Sequence, residues 1–260
     1  MPKFDLGTVF ARFFKLVAEN FALFLVIGLA GSILPAMAVT YVTTSILDVS
    51  QDLSAYAKLD AGGWLIFGAA VLVLFVLNLM TVSAITEVAI LRAIGKPVSS
   101  SALIGSSLRN ALPLFVVGLL TSLFIVLGFV VLIVPGVFLA TCLCVAVPAY
   151  VGQPNLGIWG AVMKSFELTR GNRWWLVLIG IVLIVTSMIV GAAFGGVMVG
   201  LAMSGGNLSN VVRSLPYQLA NSALSGVSNL VGYVLAAAIY VCLREVKEKL
   251  SPENAASVFS

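Results

Sequence analysis

Six long apolar runs dominate the chain and predict an all-α membrane protein. They cover residues 21–47, 61–91, 111–134, 136–151, 174–203 and 217–243. Most are longer than the roughly 20 residues that an α-helix needs to cross a hydrocarbon core, whereas the fourth is short and needs support from its neighbours. Backbone groups in lipid must be hydrogen bonded within helices. We therefore expect one domain of six transmembrane helices over residues 1–250 and a loose tail over 251–260.

The third and fourth runs meet at Pro135 and Gly136, which divide one apolar stretch into two. The combined stretch, 111–151, is too long for one crossing, and a proline–glycine pair is typical of a tight turn. We therefore expect a helical hairpin whose tip lies at these two residues. The alternative is one continuous kinked helix, which would reverse the sidedness of every basic residue that follows it.

The basic residues lie almost entirely on one side of the predicted spans. Twelve fall on one side: Lys3, Arg12, Lys15, Arg92, Lys96, Arg109, Lys164, Arg170, Arg173, Arg244, Lys247 and Lys249. Only Lys58 and Arg213 fall on the other. The positive-inside rule then predicts that both termini are cytoplasmic. The net charge of +4 is thus a topology signal rather than a sign of nucleic-acid binding, and the cytoplasmic cations would also attract anionic lipid headgroups.

Composition excludes several classes of protein. The chain is 61% hydrophobic and 9% charged, against about 25% charged in an average soluble domain. It contains no histidine, which rules out imidazole metal centres and Ser-His-Asp triads. Cys142, Cys144 and Cys242 lie inside apolar runs, where cysteine behaves as a small apolar residue. We expect no metal, no cofactor and no enzymatic activity.

A repeated pattern precedes the first, third and fifth runs. Each is preceded by a short stretch with helical periodicity, typical of a helix lying along the membrane plane. Each stretch ends at an asparagine, Asn20, Asn110 or Asn172, a residue type favoured as a helix N-cap. The pattern predicts three units of interfacial helix plus two-helix hairpin, over about 4–92, 99–152 and 157–250. Alternatively, any re-entry from cytoplasm to membrane produces the same pattern.

Glu87 is the acidic residue that lies inside an apolar run, on a polar stretch of the second span that also carries Asn78 and Ser83. An ionisable residue in a membrane helix suggests substrate or proton handling. However, Arg92 follows five residues later, which places Glu87 only about 7 Å deeper along the helix. A structural ion pair with Arg92, Arg109 or another arginine of the cytoplasmic rim is the other interpretation.

Arginine and tryptophan cluster where the fifth run begins. Arg170, Arg173 and Trp174 lie together there, and Arg109 lies just before the third run. Interfacial tryptophan with arginine is typical of a membrane anchor. Arginine also recognises phosphate through two donors. These four residues are therefore the candidates for contact with a lipid headgroup.

The fifth run carries four closely spaced glycines, Gly191, Gly195, Gly196 and Gly200. Small residues four apart let helix backbones approach closely. We expect them to mediate helix packing, either within the monomer or in a contact between chains. A glycine-lined path is the remaining alternative.

Two segments together resemble a known family. They are Leu-Ile-Val-Pro-Gly-Val-Phe-Leu-Ala at 132–140 and Ala-Val-Met-Lys-Ser-Phe-Glu-Leu-Thr-Arg-Gly-Asn-Arg-Trp at 161–174. They resemble the glycerophosphoryl diester phosphodiesterase membrane domain and the related YciC-type bacterial membrane proteins. The resemblance implies a bacterial inner-membrane protein. It implies no phosphodiesterase activity, because the catalytic barrel of some relatives and its histidines are absent here.

These observations favour a non-enzymatic inner-membrane protein that handles phospholipid or a small amphiphile. The alternative is a scaffold or accessory subunit of a larger membrane complex or homo-oligomer. A secondary transporter, for which Pro35 and Asn78 offer some support, is a third hypothesis.

Overall fold

The computed structural model describes residues 4–43, 59–203, 211 and 214–248, and these are almost entirely helical. Nine α-helices of this part of the chain are used below: α1 Leu6–Gly28, α2 Leu34–Tyr41, α3 Ala61–Ala93, α4 Ser100–Val131, α5 Ile133–Leu143, α6 Ala146–Gly152, α7 Gly157–Thr169, α8 Arg173–Met203 and α9 Leu215–Glu248. The tail 251–260 and the basic residues Lys3, Lys58, Arg213 and Lys249 lie outside the described residues.

Six helical segments are long and apolar enough to cross a membrane, which confirms the predicted fold class. They are Leu6–Tyr41, Ala61–Ala93, Ser101–Val131, Ile133–Gly152, Arg173–Gly200 and Leu215–Glu248. The short fourth segment consists of two helices, α5 and α6, that are interrupted at Cys144 and Val145. Neither of these two helices alone reaches the roughly 20 residues that a crossing requires.

The three asparagines predicted as N-caps behave differently from one another. At Asn20 the backbone leaves the helical region (φ −125°, ψ 22°), and its side chain donates a hydrogen bond back to the Leu16 carbonyl at 3.1 Å. Asn172 directly precedes α8, and its carbonyl accepts the Leu176 N–H. Asn110 lies inside α4, so the N-cap prediction is wrong there. The threefold repeat remains a prediction.

The hairpin between α4 and α5 turns at Leu132, three residues before the predicted position. Leu132 is extended (φ −165°, ψ 158°), and Pro135 falls in the first turn of α5. Proline is tolerated there because the first turn of a helix has no intrahelical acceptor for its N–H. Gly136 packs directly against the Phe129 ring, which leaves no room for a Cβ atom.

The chain forms two compact units. The first contains Met1–Leu25, Leu79–Val182 and Val231–Ser260, and the second contains Val26–Asn78 and Leu183–Leu230. Buried apolar side chains of the first unit include Val9, Ile85, Leu114, Leu168, Tyr240 and Leu243. In the second unit Gly226 contacts Ile33, and a Cβ at Gly226 would lie 2.6 Å from Ile33 Cγ1. The single domain predicted from the sequence therefore remains a prediction.

Candidate functional site

Ion pairs connect the end of α9 to the first half of α1 and to α7. Arg12 Nη1 lies 2.8 Å from Glu245 Oε2, and Lys164 Nζ lies 2.9 Å from Glu248 Oε1. Arg244 Nε donates to Glu248 Oε2 at 2.6 Å. Burial lowers the pKa of Lys164, but its hydrogen bonds with Glu248 and Glu167 have the larger combined effect, so this pKa is raised. These three cations are therefore neutralised within the first unit.

The arginines predicted to contact lipid are different in this respect. Within the described ranges, no carboxylate oxygen lies within 4.0 Å of the side-chain nitrogens of Arg109, Arg170 or Arg173. Arg109 and Arg170 are exposed, and Arg173 is partly buried. The positive charge of Arg170 and Arg173 is thus available to a ligand, whereas that of Arg109 also acts on the Glu87 carboxyl group.

An apolar groove lies between α5 and the start of α8. Its volume is about 440 Å³, and its lining includes Val134, Val137 and Phe138 from α5 with Arg173 and Trp174 from α8. The Arg173 guanidinium carbon lies 4.5 Å from the centre of the Phe138 ring, a distance favourable for a cation–π interaction.

The polar groups at this groove are few. Arg173 Nε is buried and has no hydrogen-bond partner among the described residues, and Trp174 is 86% exposed. Thr141 is the other polar residue of the lining, and its hydroxyl donates to the Phe138 carbonyl within the helix. The groove therefore combines one arginine with a long aliphatic wall, an arrangement suited to an amphiphile.

Glu87 lines a separate, smaller cavity of about 190 Å³, together with Ser106, Arg109 and Asn110. The Ser106 hydroxyl donates a hydrogen bond to Glu87 Oε2 at 2.6 Å, and Arg109 interacts electrostatically with the same carboxyl group. Asn110 Nδ2 lies 3.5 Å from Ser83 Oγ. This cavity presents opposite charges close together.

Sequence reasoning identified Glu87 and Arg109 but did not identify Ser106 as a partner. The signal that was available is the serine-rich start of α4, where Ser106 lies one turn from Asn110.

The structure also separates the four predicted headgroup residues. Arg109 lies at the Glu87 cavity, Arg173 and Trp174 lie at the groove, and Arg170 lies in the turn before α8.

The remaining predicted positions belong to the second unit. Asn78 lines a polar cavity with residues of α9, including Asn221 and Asn229. A Cβ atom placed on the four glycines of α8 would meet no described atom within 4 Å; they are Gly191, Gly195, Gly196 and Gly200. The described part of the chain thus provides no close neighbour for this glycine face.

Comparison with known proteins finds no matching family model and no matching solved structure. The chain is similar to a UPF0259 membrane protein of Pectobacterium carotovorum subsp. carotovorum, with 31% identity over 130 residues. The similar region covers 46% of this chain and 50% of the relative, so the match spans about half the length of each.

The relative is named as a membrane protein, and its name gives no activity. It also does not name the glycerophosphoryl diester phosphodiesterase or YciC families, so that more specific resemblance remains a prediction. The six apolar helices and this similarity together indicate a multi-pass membrane protein. Over about half its length, the chain resembles a bacterial membrane protein of an uncharacterised family.

Proposed function

We propose that the protein is a non-enzymatic protein of the bacterial inner membrane, with both termini in the cytoplasm, that binds anionic phospholipid in the groove between α5 and α8. The observation that carries the proposal is Arg173, a cation with no carboxylate partner in the described ranges, at an otherwise aliphatic groove. A lipid with a phosphate at one end and acyl chains at the other is complementary to this arrangement.

Separate residues of the groove would contact separate parts of such a lipid. The phosphate would pair with the Arg173 guanidinium, which offers two parallel donors. An acyl chain would lie along Val134 and Val137, where van der Waals packing would hold it, because a lipid tail already in the bilayer gains no transfer free energy from water. Trp174 would lie at the level of the headgroups, where the amphipathic indole ring is favoured. Arg170, three residues before Arg173, adds positive charge.

The Glu87 cavity is a second place for a headgroup. Arg109 would attract a phosphate, and Glu87 would orient a cation such as an ethanolamine ammonium group. This second site would accept a zwitterionic headgroup, whereas the groove at Arg173 would favour an anionic one.

Native mass spectrometry of the protein, extracted gently from its own membrane, tests the proposal directly. We expect bound phospholipid on the wild type. After exchange into phosphatidylglycerol or phosphatidylcholine, the anionic lipid should be retained more strongly. Arg173→Gln should lower phosphatidylglycerol retention about tenfold or more, because a charge-assisted hydrogen bond contributes roughly 1.5–3 kcal/mol.

Lys15→Gln is the matched control for this loss of charge. Lys15 is basic and 73% exposed, and its only described ion pair is the weak one with Glu19 at 3.9 Å. Lipid retention should be unchanged in this variant. If the wild type shows no preference between the two lipids, and Arg170→Gln with Arg173→Gln leaves retention unaltered, the proposal is wrong.

A second candidate function is assembly with other chains, as a scaffold, an accessory subunit or a homo-oligomer. The observation that favours it is the glycine face of α8, which has no described neighbour within 4 Å of the Cβ positions. Gly195→Leu should then dissociate a complex that the wild type forms after mild solubilisation. A monodisperse wild-type monomer with no co-purifying protein would argue strongly against this role.

A further inference from the structure

A cavity of about 460 Å³, lined by both polar and apolar side chains, lies within the second unit and shares no lining residue with the groove or the Glu87 cavity. Its lining draws on three stretches of chain that are distant in sequence. The polar side chains that matter here are Ser32, Thr40, Asn78, Asn221, Ser225 and Asn229. All lie in helical segments that are long and apolar enough to cross a membrane.

Helix α9 supplies a polar stripe to this cavity. Asn221, Ser225 and Asn229 are four residues apart, so they share one face of the helix. All three are exposed, and none makes a side-chain hydrogen bond to a described residue. Polar groups in hydrocarbon are costly unless they have partners. This stripe therefore requires water or a hydrogen-bonding ligand rather than acyl chains.

The opposite wall is held in place by hydrogen bonds and by a local change of helix type. Thr40 and Ser222 hydroxyls lie 2.9 Å apart, which joins α2 to α9. Between α1 and α2 the chain forms a π-helical turn over Leu29–Ile33. Pro35 follows this turn at the second position of α2 and cannot donate to the carbonyl four residues earlier, which favours such an irregularity.

The π-helical turn places Ser32 at the cavity. Ser32 is only 3% exposed, it lines the cavity, and its hydroxyl makes no hydrogen bond to a described side chain or backbone group. Single π-helical turns are frequent at functional sites because they redirect a side chain out of the regular helical register. Ser32 is thus a largely buried residue that borders the cavity.

From these observations we infer that the cavity binds an uncharged, hydroxyl-rich group, either a small free polyol or the sugar headgroup of a glycolipid. The described lining contains amides and hydroxyls, which both donate and accept hydrogen bonds, beside apolar side chains such as Leu74 and Phe75 that suit the C–H faces of a sugar or polyol. It contains no charged side chain, so a charged ligand would be desolvated without compensation. The volume lies at the lower end of the range for small-molecule sites.

Cysteine labelling tests this inference. Native thiols are removed by Cys142→Ala, Cys144→Ala and Cys242→Ala, and Ser225→Cys is added to this cysteine-free protein. The variant is then reconstituted into phosphatidylcholine vesicles. N-ethylmaleimide reacts with the thiolate, which forms only in contact with water. Val227→Cys is the matched control, since Val227 is 46% exposed on the same helix and does not line the cavity. We expect Ser225→Cys to react at least tenfold faster.

Protection then identifies the ligand class. Sorbitol should slow the labelling of Ser225→Cys at least threefold, whereas gluconate, of similar size but charged, should not. Monoglucosyl diacylglycerol in the vesicles should give the same protection if the natural source is a lipid headgroup. Protection by sorbitol alone points to a free solute, and adding Asn229→Leu should abolish either kind of protection.

Three results would overturn the inference. Equal labelling of Ser225→Cys and Val227→Cys means that the cavity is not hydrated. Fast labelling without protection by sorbitol or the glycolipid means that it holds water but no such ligand. Equal protection by gluconate and sorbitol means that the site does not select against charge. Each variant is compared only if it elutes as wild type in gel filtration.

Discussion

Glu248 Oε1 lies 2.9 Å from Lys164 Nζ, so the last residue of α9 is tied to helix α7. The same carboxyl group pairs with Arg244, whose side chain is only 3% exposed. One carboxylate thus neutralises two cations that are largely withdrawn from water. Glu167 also contacts Lys164, at 3.3 Å, but is 70% exposed.

Replacing Glu248 should therefore destabilise the protein far more than replacing Glu167. Glu248→Gln removes the carboxylate that two largely buried cations share, and we expect a loss of about 2 kcal/mol. Glu167→Gln removes an exposed ion pair and should cost no more than about 0.5 kcal/mol. Thermal unfolding in detergent, followed by circular dichroism, compares the two variants. Equal melting temperatures for both would show that the Glu248 pairs do not stabilise the fold.

The close approach of Gly136 to the Phe129 ring makes a second prediction. Gly136→Ala adds a methyl group where the ring already lies, and overpacking of this kind costs roughly 1–3 kcal/mol. Gly118→Ala is the control, because a Cβ at Gly118 meets no described atom within 4 Å. It should be neutral or stabilising, since alanine is the better helix former. If Phe129→Leu fails to relieve the defect of Gly136→Ala, the steric explanation is wrong.

The start of α1 should respond to acid. Asp5 Oδ1 accepts the Thr8 N–H at 2.7 Å, and Asp5 Oδ2 accepts the Thr8 hydroxyl at 3.1 Å. The backbone hydrogen bond from Thr8, followed by the one from its hydroxyl, lowers the pKa of Asp5. Since the folded-state pKa is below the unfolded one, the stabilisation is present above about pH 4 and is lost as pH falls through the lowered value.

Hydrogen exchange at the Thr8 amide measures this effect. Protection, corrected for the intrinsic exchange rate, should decline below about pH 4 in the wild type. Asn is as good an N-cap as Asp and does not titrate. The Asp5→Asn variant should therefore keep its protection over the same range. A parallel decline in both proteins would assign the change to another group.

Hydropathy predicted the six apolar segments because a long apolar run has few alternatives to a helix in lipid. The prediction placed the hairpin tip at Pro135–Gly136, because a proline–glycine pair is a common signal for a tight turn. Proline also fits the first turn of a helix, however, and the chain turns at Leu132 instead. Local sequence therefore located the hairpin without fixing its register.

The sites were less predictable, because they depend on contacts between distant segments. The Thr40–Ser222 contact joins residues 182 positions apart, and no local pattern encodes it. Arg109 and Arg173 are both headgroup candidates by sequence, yet they line different cavities. Ser32 carries no sequence signal of its own, since its position depends on the π-helical turn before Pro35.

The proposed lipid groove can be tested separately from its charge by filling the aliphatic part. Val137 lines the groove and is partly buried, so Val137→Trp should occupy the space meant for an acyl chain. Retention of phosphatidylglycerol and phosphatidylcholine should fall together. Arg173→Gln should instead reduce retention of phosphatidylglycerol more than that of phosphatidylcholine, because the choline cation already offsets the phosphate charge.

Val126→Trp is the control for this test, because Val126 is 56% exposed and does not line the groove. It adds the same ring to the hairpin without filling the space beside Arg173. Native mass spectrometry of the three variants gives the comparison. If Val137→Trp retains both lipids as the wild type does, the acyl chains do not lie in this groove, and any phosphate contact of Arg173 is a headgroup interaction alone.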